Sequence, residues 1–235
     1  MLLPRRLRPD EHVTRVSAEG LNAALRDPAV RAIAVAGSHR SLDDLDVAAA
    51  RQDPKPIVGT GATTFVHLEL WAKCGLVGIH GETADLTGVD PVVLDSDGSG
   101  VRVPGRASGT LLGGSLGAVR AMVGAGLPDL DGAILLVTGE RTQGLGQVDR
   151  QITHLRRAGV FSRVRAVAVG NFAGFDGLVD RGWTLADVFE DQFGGLGVPV
   201  LAGLPAGPAG TAVPIGTNAV LDADRGTLTV DAGVR

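Results

Sequence analysis

The chain has 235 residues, 44% hydrophobic and 20% charged, with a formal net charge of -4, a balance that fits a globular protein able to bury a sizeable core and favours neither nucleic acid nor an anionic membrane as a partner. Cys74 is the single cysteine, which excludes an internal disulfide and a thiolate metal cluster. No apolar run approaches the roughly 18 residues that cross a bilayer, and the first residues lack an apolar core of signal-peptide length, so the cytoplasm is the expected location.

In chain order, residues 14–26 place Val16, Leu21 and Leu25 near helical spacing, with Asp27-Pro28 as a stop. Residues 30–37 predict a buried strand, 41–52 a helix closed by Pro54 and Pro56, and 56–59 a second strand. Residues 63–75 predict an amphipathic helix stopped by Gly75, and 76–81 a third strand. Strands alternating with helices argue for a parallel sheet with both faces covered. Residues 82–108 are rich in Gly, Asp, Ser and Pro and read as a connection with small strands near 91–94 and 101–103. The second half predicts a helix over 113–126, a strand over 132–139, a helix over 147–160 and a strand over 164–172. A helix over 184–195, a strand over 198–205 and a hairpin over 219–230 close the chain. The expected division is a first lobe at 1–85, a connection at 86–108 and a second lobe at 109–235.

The stretch Gly59-Thr60-Gly61-Ala62-Thr63-Thr64 lies between a strand and a helix, where many hydrolases keep a nucleophile on a sharp turn. With "HLELWAKCGLVGIHG" after it and "LNAALRDPAVRAI" before it, this region resembles the serine LD-carboxypeptidases, a family that cuts an L–D peptide bond in cell-wall muropeptides and includes the microcin C immunity peptidases. "GGSLGAVRAMVGAGLPDLDGAILLV", "VDRQITHLRRAGVF", "VPVLAGLPAG" and "AVPIGTNAVLDADRGTLTV" extend the resemblance to residues 14–232. It implies an α/β fold of two lobes, a parallel-sheet first lobe and an α/β second lobe. "RRLRPD" is similar to the family's opening, followed here by an internal loss that shortens the first lobe. The open sheet edge left by that loss is expected to be covered by a partner, as in a homodimer, or by a reordered N-terminus.

The family chemistry needs a serine, a histidine that takes its proton and a carboxylate that orients the histidine, with backbone N–H groups for the oxyanion. In the family pattern Gly-aromatic-Ser-Asp, the serine position is Gly61 here. The glutamate position is Thr138, with Glu140 two residues on. The histidine position, after "GLPAG", is Pro208, which has neither imidazole nor N–H. The resemblance therefore implies three degenerate triad positions and no LD-carboxypeptidase hydrolysis, with Thr60 and Thr63 as displaced hydroxyls.

The glycine loop of the family stands here as Ser38, His39, Arg40 and Ser41. Two readings are open for these side chains: a cationic pocket with His39 as acid–base group, or a solvated loop. Glu140 and Arg141 follow a strand into a glycine-rich loop, and Asn171 ends another strand, where parallel sheets place ligands. The expected ligand set is Ser38, Arg40, Thr60, Gly61, Thr63, Thr138, Arg141 and Asn171, around His39 and Glu140 as catalytic groups. The expected ligand is small, peptide-like or carboxylate-bearing, the role biosynthetic, and no cofactor or metal is expected. His80, beside Glu82, reads as a packed, hydrogen-bonded histidine; His67 and His154 read as structural or surface residues, and Asp149 and Arg150 as a helix start. "LLGGSLG" lacks the lysine of a phosphate loop, and Ser115 within it reads as a helix N-cap. A non-enzymatic subunit docking through the open edge is the alternative to a repurposed enzyme, and a residual hydrolase using a displaced threonine is the third reading.

Overall fold

The computed structural model describes residues 1–8, 11–17, 19–36, 44–82, 90–142 and 144–234. Its elements build two sheets, and the α/β architecture is the expected one. The first half supplies β1 (Val13–Ser17), α1 (Leu21–Arg26), β2 (Ala32–Ala36), α2 (Val47–Gln52), β3 (Ile57–Gly59), α3 (Thr63–Cys74) and β4 (Gly78–His80). The order of the first sheet is β1-β2-β3-β4-β11, where β11 is Val213–Ile215 from the far end of the chain. Strands β1 to β4 run parallel, and β11 closes the sheet antiparallel to β4.

The second sheet uses β5 (Val92–Asp95), β6 (Arg102–Val103), β7 (Arg106–Ser115), β8 (Ile134–Glu140), β9 (Ala166–Ala173), β10 (Val200–Leu201), β12 (Asn218–Asp222) and β13 (Thr227–Val230), ordered β5-β13-β12-β7-β8-β9-β10-β6. Its centre, β7 to β10, is parallel and its flanks are antiparallel. Helices α4 (Leu116–Met122), α5 (Leu145–Arg157) and α6 (Leu185–Phe193) cover it. Ile134, Leu135, Leu136 and Val137 are all buried, which is the continuous apolar run that a strand covered on both faces requires.

Several boundaries differ from expectation. Residues 14–26 are not one helix: Val13, Thr14 and Val16 are β-branched and join β2 as a strand, and the helix is only Leu21–Arg26. The helix expected over 41–52 begins at Val47, because the Asp46 carboxylate accepts the Ala49 N–H at 2.9 Å and caps it there; residues 41–43 lie outside the described residues. The helix expected over 113–126 begins only at Leu116. Gly113 and Gly114 are strand residues with φ of 123° and 134°, and a side chain on Gly113 would run into the Leu136 carbonyl of the neighbouring strand. The strand expected over 198–205 shrinks to Val200–Leu201. Strand β11 was not anticipated; it contains Pro214 and sits at a sheet edge, the position that tolerates proline.

Lys55 shows how the first lobe is held. Its side chain is fully buried, and its ammonium donates to the carbonyls of Ala24, Leu25 and Asp27 at 2.9, 2.7 and 2.7 Å. A six-residue helix leaves its last carbonyls unpaired; the lysine satisfies them, and they in turn compensate its buried charge. Leu2 donates to the Gly75 carbonyl at 2.6 Å and accepts from Val77 at 3.1 Å. The N-terminus thus runs beside the start of β4 and not along β1. Among the described residues no strand pairs with the outer side of β1. No helix of the described residues is long and apolar enough to cross a membrane.

Candidate functional site

The parallel strands of both sheets end near one another, and the side chains singled out in the sequence gather there. Strand β3 ends at Gly59, the chain turns through Thr60, Gly61 and Ala62, and α3 begins at Thr63. Gly61 has a φ of 55°, the left-handed region that favours glycine, with nothing within 4 Å of where a side chain would start. The Thr60 hydroxyl donates to Glu140 Oε1 at 3.3 Å, joining the turn to the end of β8. Thr63 is buried and its hydroxyl donates to the Val35 carbonyl at 3.2 Å, which ties the start of α3 to β2.

Strand β8 slips register against β9 between Val137 and Gly139. Such a bulge re-aims a side chain, and the residue within it is Thr138. Thr138 is fully buried, with Oγ1 2.9 Å from His80 Nε2. The bond crosses from the second sheet to the first. His80 is fully buried, and burial, followed by the neighbouring His67, pushes its pKa down to about 3. It is a neutral imidazole at ordinary pH, a packed histidine as the sequence suggested. His67 is also buried, its ring nitrogen donating to the Ile57 carbonyl at 2.9 Å; its ring stands edge-on to that of His80, 6.4 Å between centroids.

Gly61, Ser115, Thr138, Glu140 and Pro208 line one cavity of about 160 Å³, with Gln151 and Thr142 on its far wall. Glu140 is exposed and is the one ionisable group among the described lining residues. Ser115 occupies the N-cap position of α4, but its hydroxyl makes no capping bond. Asn171 sits beside this cavity, its Nδ2 donating to the Pro208 carbonyl at 3.2 Å. Arg141 is exposed and reaches the Gly174 carbonyl at 3.5 Å. A second cavity, of about 330 Å³, opens on the first-lobe side of Thr60 and is lined by Arg15, Thr63 and Glu82. Glu82 accepts the Ala209 N–H at 3.1 Å, a second bridge between lobes. Ser38, His39 and Arg40 lie outside the described residues. His154 is exposed and accepts from Arg120 at 3.1 Å, and Asp149 accepts from Gln192 at 2.7 Å, so both belong to helix packing.

Two α/β layers, with cavities where their strand ends meet, define a two-lobed α/β protein with a candidate site at the seam. The chain belongs to the LD-carboxypeptidase family: the family's N-terminal domain matches residues 12–81 and its C-terminal domain residues 108–221. A Streptomyces coelicolor protein named as a carboxypeptidase is 36% identical over 91% of this chain and 76% of its own length. A Bacillus subtilis protein named as a murein peptide carboxypeptidase is 26% identical over 91% of this chain and 76% of its own. The crystal structure of muramoyltetrapeptide carboxypeptidase from Oxalobacter formigenes superposes with a TM-score of 0.79 at 24% identity, over 93% of this chain and 83% of that one. An MccF-like protein from Bacillus anthracis gives a TM-score of 0.81 at 16% identity, over 99% and 100% of the two chains. At such identities the structural likeness is one of fold.

Sequence reasoning did not anticipate Ser115, Thr142 and Gln151 as cavity walls. Ser115 carried a hydroxyl at a strand-to-helix junction, a signal absorbed by the capping reading. Gln151 lies inside α5, where only the packing of that helix against the seam reveals its direction.

Proposed function

We propose that this chain is an LD-carboxypeptidase-family protein without the hydrolytic triad, and that its seam binds a small peptide-like ligand. The observation that carries this is the gathering of Gly61, Thr138, Pro208 and Glu140 around one cavity. In the family pattern the first three are the serine, glutamate and histidine positions. Glycine offers no nucleophile, proline no base, and the Thr138 hydroxyl is taken up by a histidine whose low pKa leaves it a poor proton acceptor. Thr60 is the hydroxyl next to Gly61 in the turn, but its neighbour is a carboxylate, far too weak a base to activate an alcohol unaided. Glu140 is instead placed to accept an N–H from a ligand or to exchange a proton with it. The shortened first lobe and a biosynthetic role belong to the same reading.

The test uses an LD-tetrapeptide as probe. Chromatography should detect no cleavage above background, while calorimetry should detect binding that Glu140→Gln weakens about tenfold, the loss of one charge-assisted contact. Cleavage that disappears in Thr60→Val or Thr63→Val would overturn the loss of hydrolysis. Absence of binding, or binding indifferent to Glu140→Gln, would overturn the cleft reading. One observation favours a second reading, a subunit docking through the first sheet: β1 is that sheet's outermost strand, and no described strand covers it. Light scattering on the eluting protein would support docking of a second copy by returning twice the monomer mass.

A further inference from the structure

A further cavity lies outside the triad positions. It measures about 500 Å³ and opens at the ends of β9 and β10, beside the start of α6. Its floor is aromatic. Phe172, Phe175 and Phe189 are buried, with ring centroids 6.3 Å apart for the first pair and 4.9 Å for Phe172 and Phe189, both edge-on. Its rim is anionic: Asp95, Asp97 and Asp176 line it and are exposed, and no lysine or arginine is among the described lining residues.

The rim is also fixed. Asp97 accepts the Ser99 N–H at 2.7 Å, its own N–H donates to the Gly203 carbonyl at 3.0 Å, and Ser96 donates to the Ala202 carbonyl at 2.6 Å. These bonds lace the loop before β6 to the end of β10, so the wall stands before any ligand arrives. The Ser99 hydroxyl and N–H hold the Asp97 carboxyl below the ordinary carboxylate range, which keeps it ionised at neutral pH.

Carboxylates above a low-dielectric aromatic floor attract cations and repel anions, and ring faces add to the attraction for an ammonium. An apolar hollow of this size is also the usual form of a small-molecule site. We propose that this cavity is a binding site for a protonated primary amine carried on an aromatic or aliphatic body. The body would pack on Phe172, Phe175 and Phe189, with the ammonium facing Asp97 and its neighbours. Phe172 and Phe175 also back the smaller cavity, so the two sites share a wall. The proposal stands whether or not Glu140 transfers a proton.

Three probes of one shape test it: benzylamine, benzyl alcohol and benzoate, titrated into the full chain by ligand-observed NMR. Benzylamine should bind at least tenfold more tightly than the alcohol, and benzoate should not bind. Asp95→Asn with Asp176→Asn should remove most of that preference while leaving the Asp97 turn intact. Ala186→Phe, an exposed helix position at the mouth, should block benzylamine and benzyl alcohol alike without disturbing the core. Glu140→Gln should leave benzylamine binding unchanged, which separates this site from the smaller cavity. Equal binding of amine and alcohol, or amine binding lost in Glu140→Gln and kept in Ala186→Phe, would overturn the proposal; so would no binding at millimolar benzylamine.

Discussion

His80 is a buried neutral imidazole whose pKa lies near 3 against an ordinary value of 6.5. The unfolded chain takes up a proton as pH falls below 6.5 and the folded chain does not, so the group's contribution to stability is full above 6.5 and is lost as pH falls toward 3. Between about pH 6 and pH 5 stability should fall by roughly 1 kcal/mol per pH unit, a slope bounded by one proton. His80→Gln, which keeps a donor for Thr138, should flatten that slope in urea unfolding; an unchanged slope would show that His80 does not set it. Asp46 and Asp90 do not blur this window. Their carboxyls are held low, Asp46 first by the Ala49 N–H and Asp90 first by Arg6, so their contributions are lost only at and below the ordinary carboxylate range. That His80 is packed agrees with the reading of "IHGE", where it is the last residue of β4. Its partner was not legible, because Thr138 and His80 are 58 residues apart and meet only across two sheets.

At the scale of elements, the strongly patterned segments were legible. Helices 63–74, 145–157 and 185–193 and strands 57–59, 134–140 and 166–173 fall where periodicity placed them, within a few residues. One failure falls at glycine. "LLGGS" reads as a helix start because glycine is neutral in pattern, whereas the backbone uses Gly113 to bring β7 against β8. Gly113→Ala should therefore destabilise the chain by about 3 kcal/mol, combining strain at positive φ with a clash against the Leu136 carbonyl. Gly124→Ala, also at positive φ but with nothing within 4 Å, should cost only about 1 kcal/mol. Thermal unfolding of the pair separates steric approach from backbone strain, and equal losses would refute the close-approach argument. Strand β11 escaped notice for another reason: three residues around a proline carry no period of their own, and only the edge of a distant sheet makes them a strand.

For the whole molecule, the order of lobes along the chain is not their order in space. Residues 1–108 should not fold when expressed alone, because β4 would lose β11 on one side and His80 its partner Thr138. Circular dichroism of that fragment, measured with and without residues 109–235 added in trans, checks this; a cooperative melt of the fragment alone would contradict it. The same arrangement constrains synthesis. The first sheet cannot be completed until residues 213–215 have left the ribosome, although its other four strands emerge within the first 80. For most of translation the nascent chain carries four strands whose sheet cannot yet be completed. Non-local strand pairing of this kind forms slowly and is exposed to misassembly, so the yield of this protein in a cell should depend on chaperones that shield nascent chains.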